Sequence, residues 1–455
     1  MNNKNRLEDF KKNPTKALWK LSIPMMLGMS AHALYTLIDL WFIGHWIEDG
    51  ANVVIALADV FPLLFIIMGI TMGLGSGSTT VIAQSIGENN KNSADSCAEH
   101  ALILGGIISI FFISIGSLLG ESLLIFQGNK QSNLIYATDY YYTILYGIPF
   151  MVFSMFFRAI LSGEGDAMLP MKILGFGTIL NIILDPILIT YFQVKGAALA
   201  TIISQICVFI MFLYVMIFKS KSFISINFKK FKYNHSILLK ILKIGIPAAL
   251  SMVIMSMGVF FFNTILKILE NGDAAKGAYR IAHQIEHLVF IPFISISTSM
   301  VTLIGMFYGA KEKKLILYIL KYSLKSVLFI SIIFSLIFFN FGDNLIALFL
   351  KTNDSNAKNI INIGAKYFQI FSFATPFIAI TMLCSRSIQG LGKSTPMFII
   401  TFLRVIGISC ILAFYFINIK NYGVEYAWYS ILISCLCSAF ISSIWVLREI
   451  KKIKF

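Results

Sequence analysis

Charge is scarce in this chain of 455 residues: Asp, Glu, Lys and Arg together make up 13% of it. A soluble domain carries roughly 25%. With 57% apolar residues and a mean hydropathy of +0.80, too little polar surface remains to clothe a water-soluble fold of this size. Acidic residues are scarcer still, 22 against 37 Lys and Arg, for a formal net charge of +15. The apolar excess rules out a disordered chain or one that coats nucleic acid, so the surplus of positive charge has to be read by where it falls. Cysteine is sparse. Cys97, Cys207, Cys384, Cys410, Cys435 and Cys437 lie in or beside apolar stretches, with neither the spacing of a disulfide framework nor that of a zinc site, and no metal is assigned to them. No small-residue cleavage site follows the first apolar run, which reads as a first helix behind a basic tail. What remains is an all-α polytopic membrane protein.

Apolar runs fall near 17–44, 52–86, 98–126, 134–162, 167–192 and 196–218, then near 240–268, 276–308, 315–340, 357–389, 395–418 and 423–447. Twelve spans of roughly 25 residues leave loops of about a dozen residues each and no room for a large soluble domain. Lys and Arg collect in the N-terminal tail (Lys4, Arg6, Lys11, Lys12, Lys16, Lys20) and between spans six and seven (Lys219 to Lys243). They collect again at Lys311, Lys313 and Lys314, and at the C-terminus. Alternating spans put all four clusters on one side, the cytoplasm by the positive-inside rule. The opposite side receives acidic or neutral turns such as Glu48-Asp49 and Asn353-Asp354. Both termini are expected in the cytoplasm, with an N-lobe over 1–218, a basic linker over 219–239 and a C-lobe over 240–455.

The chain repeats itself at an offset of 220 to 230 residues. Ser22-Ile23-Pro24 faces Gly245-Ile246-Pro247, and Gln84-Ser85-Ile86-Gly87 faces Met306-Phe307-Tyr308-Gly309. RAILSGEGDAMLPM (158–171) faces SRSIQGLGKSTPMF (385–398), preceded by Pro149 and Pro376. An even number of spans per half inserts both halves in the same orientation, the arrangement of two-lobed carriers.

The segment LYTLIDLWFIG, the RAILSGEGDAMLPM turn, and NIILDPILI followed by VKGAALAT together resemble the MATE (multidrug and toxic compound extrusion) transporters, most of all their DinF-like branch. The resemblance runs over essentially the whole chain. It implies two pseudo-symmetric six-helix lobes that open alternately to each side. It also implies export of amphipathic or cationic small molecules in exchange for H+ or Na+, with no cofactor, in a monomer of the prokaryotic cell membrane.

An ionisable group inside a span is costly unless it faces a cavity or a partner. Asp39 in span one, Asp185 in span five, Thr201 in span six, Tyr140 in span four and Asp59 in span two come out at similar depth, and Asn181 lies one turn from Asp185. The hydroxyls are equally open to local bonding with helix carbonyls, and Asp59 to an interfacial place or to the substrate cavity. In the family, the matching Asp, Asn, Asp and Thr form the cation or proton site, which implies that role for Asp39, Asn181, Asp185 and Thr201. It extends to Tyr140 less uniquely, since Tyr141 and Tyr142 adjoin it. Two close carboxylates in low dielectric either take a proton or share a cation; the residues leave H+ and Na+ both open. Pro24 removes a helix hydrogen bond and permits a hinge in span one, or a static kink.

The second half lacks these acids. The repeat sets Phe262 against Asp39, and Ser409 or its neighbours against Asp185, so coupling is expected in the N-lobe alone. Its polar residues are His283, Glu286 and His287 in span eight. Formally they spell H-x-x-E-H, a zinc-protease signature, but no further carboxylate follows until Glu312. A substrate-cavity patch, a subsidiary proton site or a helix-end network remain as readings, and no enzyme activity is expected. Gly73, Gly75 and Gly77 lie within a span with no Lys after them, so they read as close helix packing. A flippase of lipid-linked oligosaccharides is the alternative function. It would want basic residues in its cavity, and Arg158, Arg280, Arg386 and Arg404 are mostly near span ends.

Overall fold

A computed structural model describes residues 4–47, 50–126, 131–218, 222–350 and 355–454. The outer turns Glu48-Asp49 and Asn353-Asp354, and the linker residues Lys219 and Lys221, lie outside the described residues. A short polar helix, α1 (Lys4–Lys12), precedes α2 (Pro14–Trp46), α3 (Gly50–Gly87), α4 (Lys91–Phe126), α5 (Gln131–Gly163) and α6 (Met168–Leu213). The second half holds α7 (His235–Leu266), α8 (Gly272–Gly309), α9 (Lys313–Ala347), α10 (Ser355–Gly390), α11 (Thr395–Ile419) and α12 (Val424–Lys451). Ten of the described helices are long and apolar enough to cross a membrane.

The tenth-to-twelve difference has two sources. One is α2, a 33-residue helix of predominantly apolar sequence that adds a crossing. The other is α6, whose 46 residues are far too many for one crossing of a roughly 30 Å core. It folds back at Gln193, where φ 52° and ψ −130° break the helix. Gly196 makes this possible, because a Cβ there would stand 2.1 Å from the Leu188 carbonyl oxygen. Spans five and six are thus joined by a backbone reversal rather than by a loop, and the described helices make twelve crossings in two sets of six.

The repeat is also written in the backbone. The described residues with positive φ fall into three pairs, Asn89 with Lys311, Gly165 with Gly392 and Gln193 with Asn421. Each pair is separated by roughly 220–230 positions. Pro24 and Pro247, Pro149 and Pro376 also pair, each inside a helix.

Two compact units emerge. Unit 1 comprises Met1–Lys12 and Ile23–Ala249; unit 2 comprises Asn13–Ser22 and Leu250–Phe455. The boundaries in α2 and α7 fall within two or three residues of Pro24 and Pro247, where the helix ladder is already missing a donor. In unit 1, Ala249 backs so closely onto Gly73 that a Cβ on the glycine would lie 2.3 Å from its Cα. This is the close helix packing expected of the Gly73–Gly77 stretch.

The stretch from Ser222 to Asn234 is pinned to unit 1 chiefly through its backbone. Glu164 Oε2 accepts the Ser222 hydroxyl at 2.7 Å and the N–H groups of Phe223 and Ile224 at 3.1 and 3.4 Å. Asp95 takes the Ser225 N–H at 2.9 Å and Glu99 that of Asn227 at 3.0 Å. His100 Nδ1 donates to the Ser96 carbonyl, which leaves Nε2 to accept the Asn234 N–H at 2.9 Å. Arg6 of α1 closes the cluster, donating to Asp166 at 2.8 Å and standing 3.7 Å from Glu164. Burial of Glu164 pushes its carboxyl up to about 7, against the opposing pull of Ser222, Arg6 and the Ile224 N–H.

Candidate ion and substrate sites

Unit 1 gathers its intramembrane polar residues at one level. Asp39 lies seven residues from the end of α2 at Trp46, and Asp185 lies a similar distance from the reversal at Gln193. Thr201 lies about as far beyond that reversal, and Tyr140 nine residues into α5, so all four sit roughly 10–14 Å from their helix ends. Asp39 is 5% exposed, Asn181 3% and Asp185 0%, and Tyr140 is also buried.

Their bonding is incomplete. Asn181 Nδ2 donates to Asp185 Oδ1 at 3.3 Å. Thr201 Oγ1 bonds back to the Ala197 carbonyl at 3.2 Å and also meets the Tyr35 hydroxyl at 3.3 Å. Tyr140 is close enough to feel Asp39, Tyr35 and Asp185 electrostatically, and Asp185 feels Asp39. Asp39 Oδ1, Asp185 Oδ2 and Asn181 Oδ1 are buried with no hydrogen-bond donor. Three buried oxygens without donors, two of them on carboxylates, are a set that a proton or a small hard cation would satisfy.

Tyr35 was not singled out by sequence. It lies one turn before Asp39 on the same face of α2, the i−4 relation that had already joined Asn181 to Asp185. Asp59 is on α3, and its side chain lies outside the described residues. Pro24 is buried within a continuous α2.

Unit 2 is built differently. Glu286 is buried on α8, where the Tyr367 hydroxyl donates to its Oε1 and His283 Nδ1 stands 3.5 Å from Oε2. His283 and His287 are exposed and Glu286 is buried; His283 reaches Glu286, but among the described residues the three do not converge into a set that could hold a metal, as H-x-x-E-H chemistry would need. Tyr367, which bonds the buried carboxylate, belongs to an aromatic cluster with Phe262, Tyr279 and Trp428. Ring centroids are 5.0 Å apart for Phe262–Tyr279, 5.9 Å for Tyr279–Tyr367 and 4.9 Å for Tyr367–Trp428. In the register that pairs Gly165 with Gly392, Tyr367 holds the place of Tyr140, and Trp428 that of Thr201. The counterpart of the polar site in unit 1 is an aromatic cluster with one acid, and that acid comes from a different helix.

Twelve crossings in a duplicated bundle, with acids buried inside the membrane, define a multi-pass membrane protein of the two-lobed carrier class. The MatE family model matches residues 24–187 and 247–415, each block beginning at one of the paired prolines, and the chain belongs to that family. It is 28% identical over 422 residues to the probable multidrug resistance protein NorM of Thermotoga maritima, covering 91% of this chain and 88% of that protein. It is 25% identical over 445 residues to the multidrug export protein MepA of Staphylococcus aureus, covering 97% and 96%. Among solved structures, an outward-facing multidrug resistance MATE family transporter of the MOP superfamily superposes with a TM-score of 0.91 at 28% identity, over 97% of both chains. A MOP superfamily transporter from Pyrococcus furiosus, described as having a binding pocket of reverse polarity, gives 0.90 at 28% identity over 96% of both. Multidrug efflux, not oligosaccharide flipping, is the function these relatives support.

Proposed function

We propose that the chain is a secondary active exporter of the DinF-like branch that moves amphipathic compounds, cationic ones among them, out of the cell in exchange for inward H+ or Na+. Asp39, Asn181, Asp185 and Thr201, with Tyr140 and Tyr35 beside them, hold the coupling ion. Glu286, with His283, contacts substrate in the second half. Both termini are cytoplasmic and the carrier works as a monomer.

The observation that supports this reading is the set of three donor-free buried oxygens shared between α2 and α6. Loading them with a proton or cation removes the penalty of leaving two carboxylates close together in low dielectric. Unloading restores that penalty, and a change in how α2 lies on its bundle near Pro24 relieves it. The cycle therefore needs the ion to arrive from one side and leave on the other.

Inverted vesicles containing the carrier test the reading. An outward-directed gradient of the right ion, imposed alone, should drive a labelled cationic amphiphile across the membrane. Uptake that ignores both an imposed pH gradient and an imposed Na+ gradient would overturn it.

A further inference from the structure

Apart from His283, the outward face of α8 has no place in the mechanism above. Its buried side is made of Ala275, Ala278, Tyr279, Ala282, Ile285 and Glu286. Its other side carries Lys276, Arg280, His283, Gln284 and His287 in one line at helical spacing, with Lys276 partly exposed and the rest exposed. Asp273 stands at the head of this line, in the first turn. Below it every charge is positive or every group neutral, and among the described residues neither Lys276 nor Arg280 has a hydrogen-bond or ion-pair partner.

A helix of 38 residues is roughly 57 Å long, against a hydrocarbon core of roughly 30 Å, so its central twenty or so residues cross the core. That places Arg280 at the rim of the core and His283, Gln284 and His287 inside it. Lys and Arg at a rim can extend to headgroups. Imidazole and carboxamide side chains are too short for that, and exposed to acyl chains they would be costly. The line therefore faces water or a polar ligand, and Arg280, on the same line, faces it too. Glu286, the acid nearest the line, meets it only at His283, 3.5 Å away, and already accepts from Tyr367.

Resting on the export reading, we infer that this line is a binding wall for substrates that carry an anionic group, a carboxylate or sulfonate, beside their aromatic or cationic part. The anion meets Arg280 and Lys276. His283, which stacks on Tyr279 with centroids 6.0 Å apart, presents a flat face for the ring of the same compound.

A matched pair of dyes tests the wall: rhodamine B, a zwitterion with a free carboxylate, and its ethyl ester, a monocation. Binding is read by fluorescence anisotropy on purified protein, so that it does not depend on export. Combined Lys276→Gln and Arg280→Gln should weaken the free acid about tenfold, the weight of one charge-assisted hydrogen bond, and leave the ester within about twofold. Arg280→Glu should invert the preference. Because both side chains are unpartnered, retained ester binding certifies the fold. Equal losses for acid and ester, no binding of the acid by the unaltered protein, or an anionic phospholipid that copurifies only with the unaltered protein while both dyes bind as before, would each overturn the inference. Failure of the export reading would appear separately, as dye binding without gradient-driven movement.

Discussion

Asn181 donates its side-chain amide to Asp185 one turn further along α6, at 3.3 Å, and leaves its own carbonyl oxygen and the second Asp185 oxygen buried without a donor. The pair is oriented but unsatisfied. That is the condition of a site built to take something up, since a purely structural pair in a low-dielectric interior would be expected to fill its remaining acceptors.

Tyr35 and Thr201 tie the two limbs of this site together through a single contact between hydroxyls. Tyr35→Phe removes it without changing the packing volume. It should weaken affinity for the coupling ion by roughly threefold to tenfold, corresponding to one net hydrogen bond of about 1 kcal/mol, and leave expression unchanged. The ion dependence of transport in proteoliposomes measures this. An unchanged half-saturating concentration would mean that the hydroxyl pair is only a helix-to-helix bond.

Glu286 is buried and held by Tyr367, itself part of an aromatic cluster, in a half that lacks counterparts of Asp39 and Asp185. Glu286→Gln should therefore alter which compounds are exported while coupling persists, seen as changed relative rates across a panel of cationic and neutral dyes. Loss of export for every compound tested would put the coupling site in the wrong half of the chain.

Glu164 makes a prediction about pH. Burial raises its carboxyl to about 7 in the folded protein, above the roughly 4.3 of an exposed Glu. A raised pKa means that the protonated form stabilises the fold. This contribution is fully present below about pH 4.3 and is lost as pH rises through about 7, by about 4 kcal/mol at most. Glu164→Gln cannot titrate. The apparent unfolding temperature of the unaltered protein should fall relative to that of the variant between pH 5 and pH 8. A difference that stays flat across that window would contradict the assignment.

Much of this was legible in the sequence, and what was not has a physical reason. Twelve apolar runs, the paired prolines and the two Asp residues could be read because the membrane penalises every exception to apolarity. Turn glycines such as Gly165 and Gly392 repeat for steric reasons that survive duplication. The pinning of Ser222–Asn234 could not be read, because most of its donors are backbone N–H groups and its acceptors lie more than a hundred positions away for Asp95, Glu99 and His100. The sequence showed only a basic linker, whose side chains gave no hint of the anchors beneath. The aromatic cluster of unit 2 escaped for a related reason: Phe262, Tyr279, Tyr367 and Trp428 come from four helices and have no spacing in common. Joining spans five and six by a reversal at Gln193, with a glycine three residues on, was half visible in VKGAALAT but only as a loop.

The central claim is that Asp39 and Asp185 together hold the ion that drives export. Reconstituted vesicles containing the unaltered carrier, Asp39→Asn or Asp185→Asn, each given an imposed pH gradient or Na+ gradient in turn, test it directly. The unaltered carrier should concentrate a cationic dye under one of the two gradients. Either variant should remain folded and bind dye, since removing one of two close like charges relieves repulsion, yet concentrate none. Variants that still concentrate dye under the gradient that drives the unaltered carrier would contradict the account.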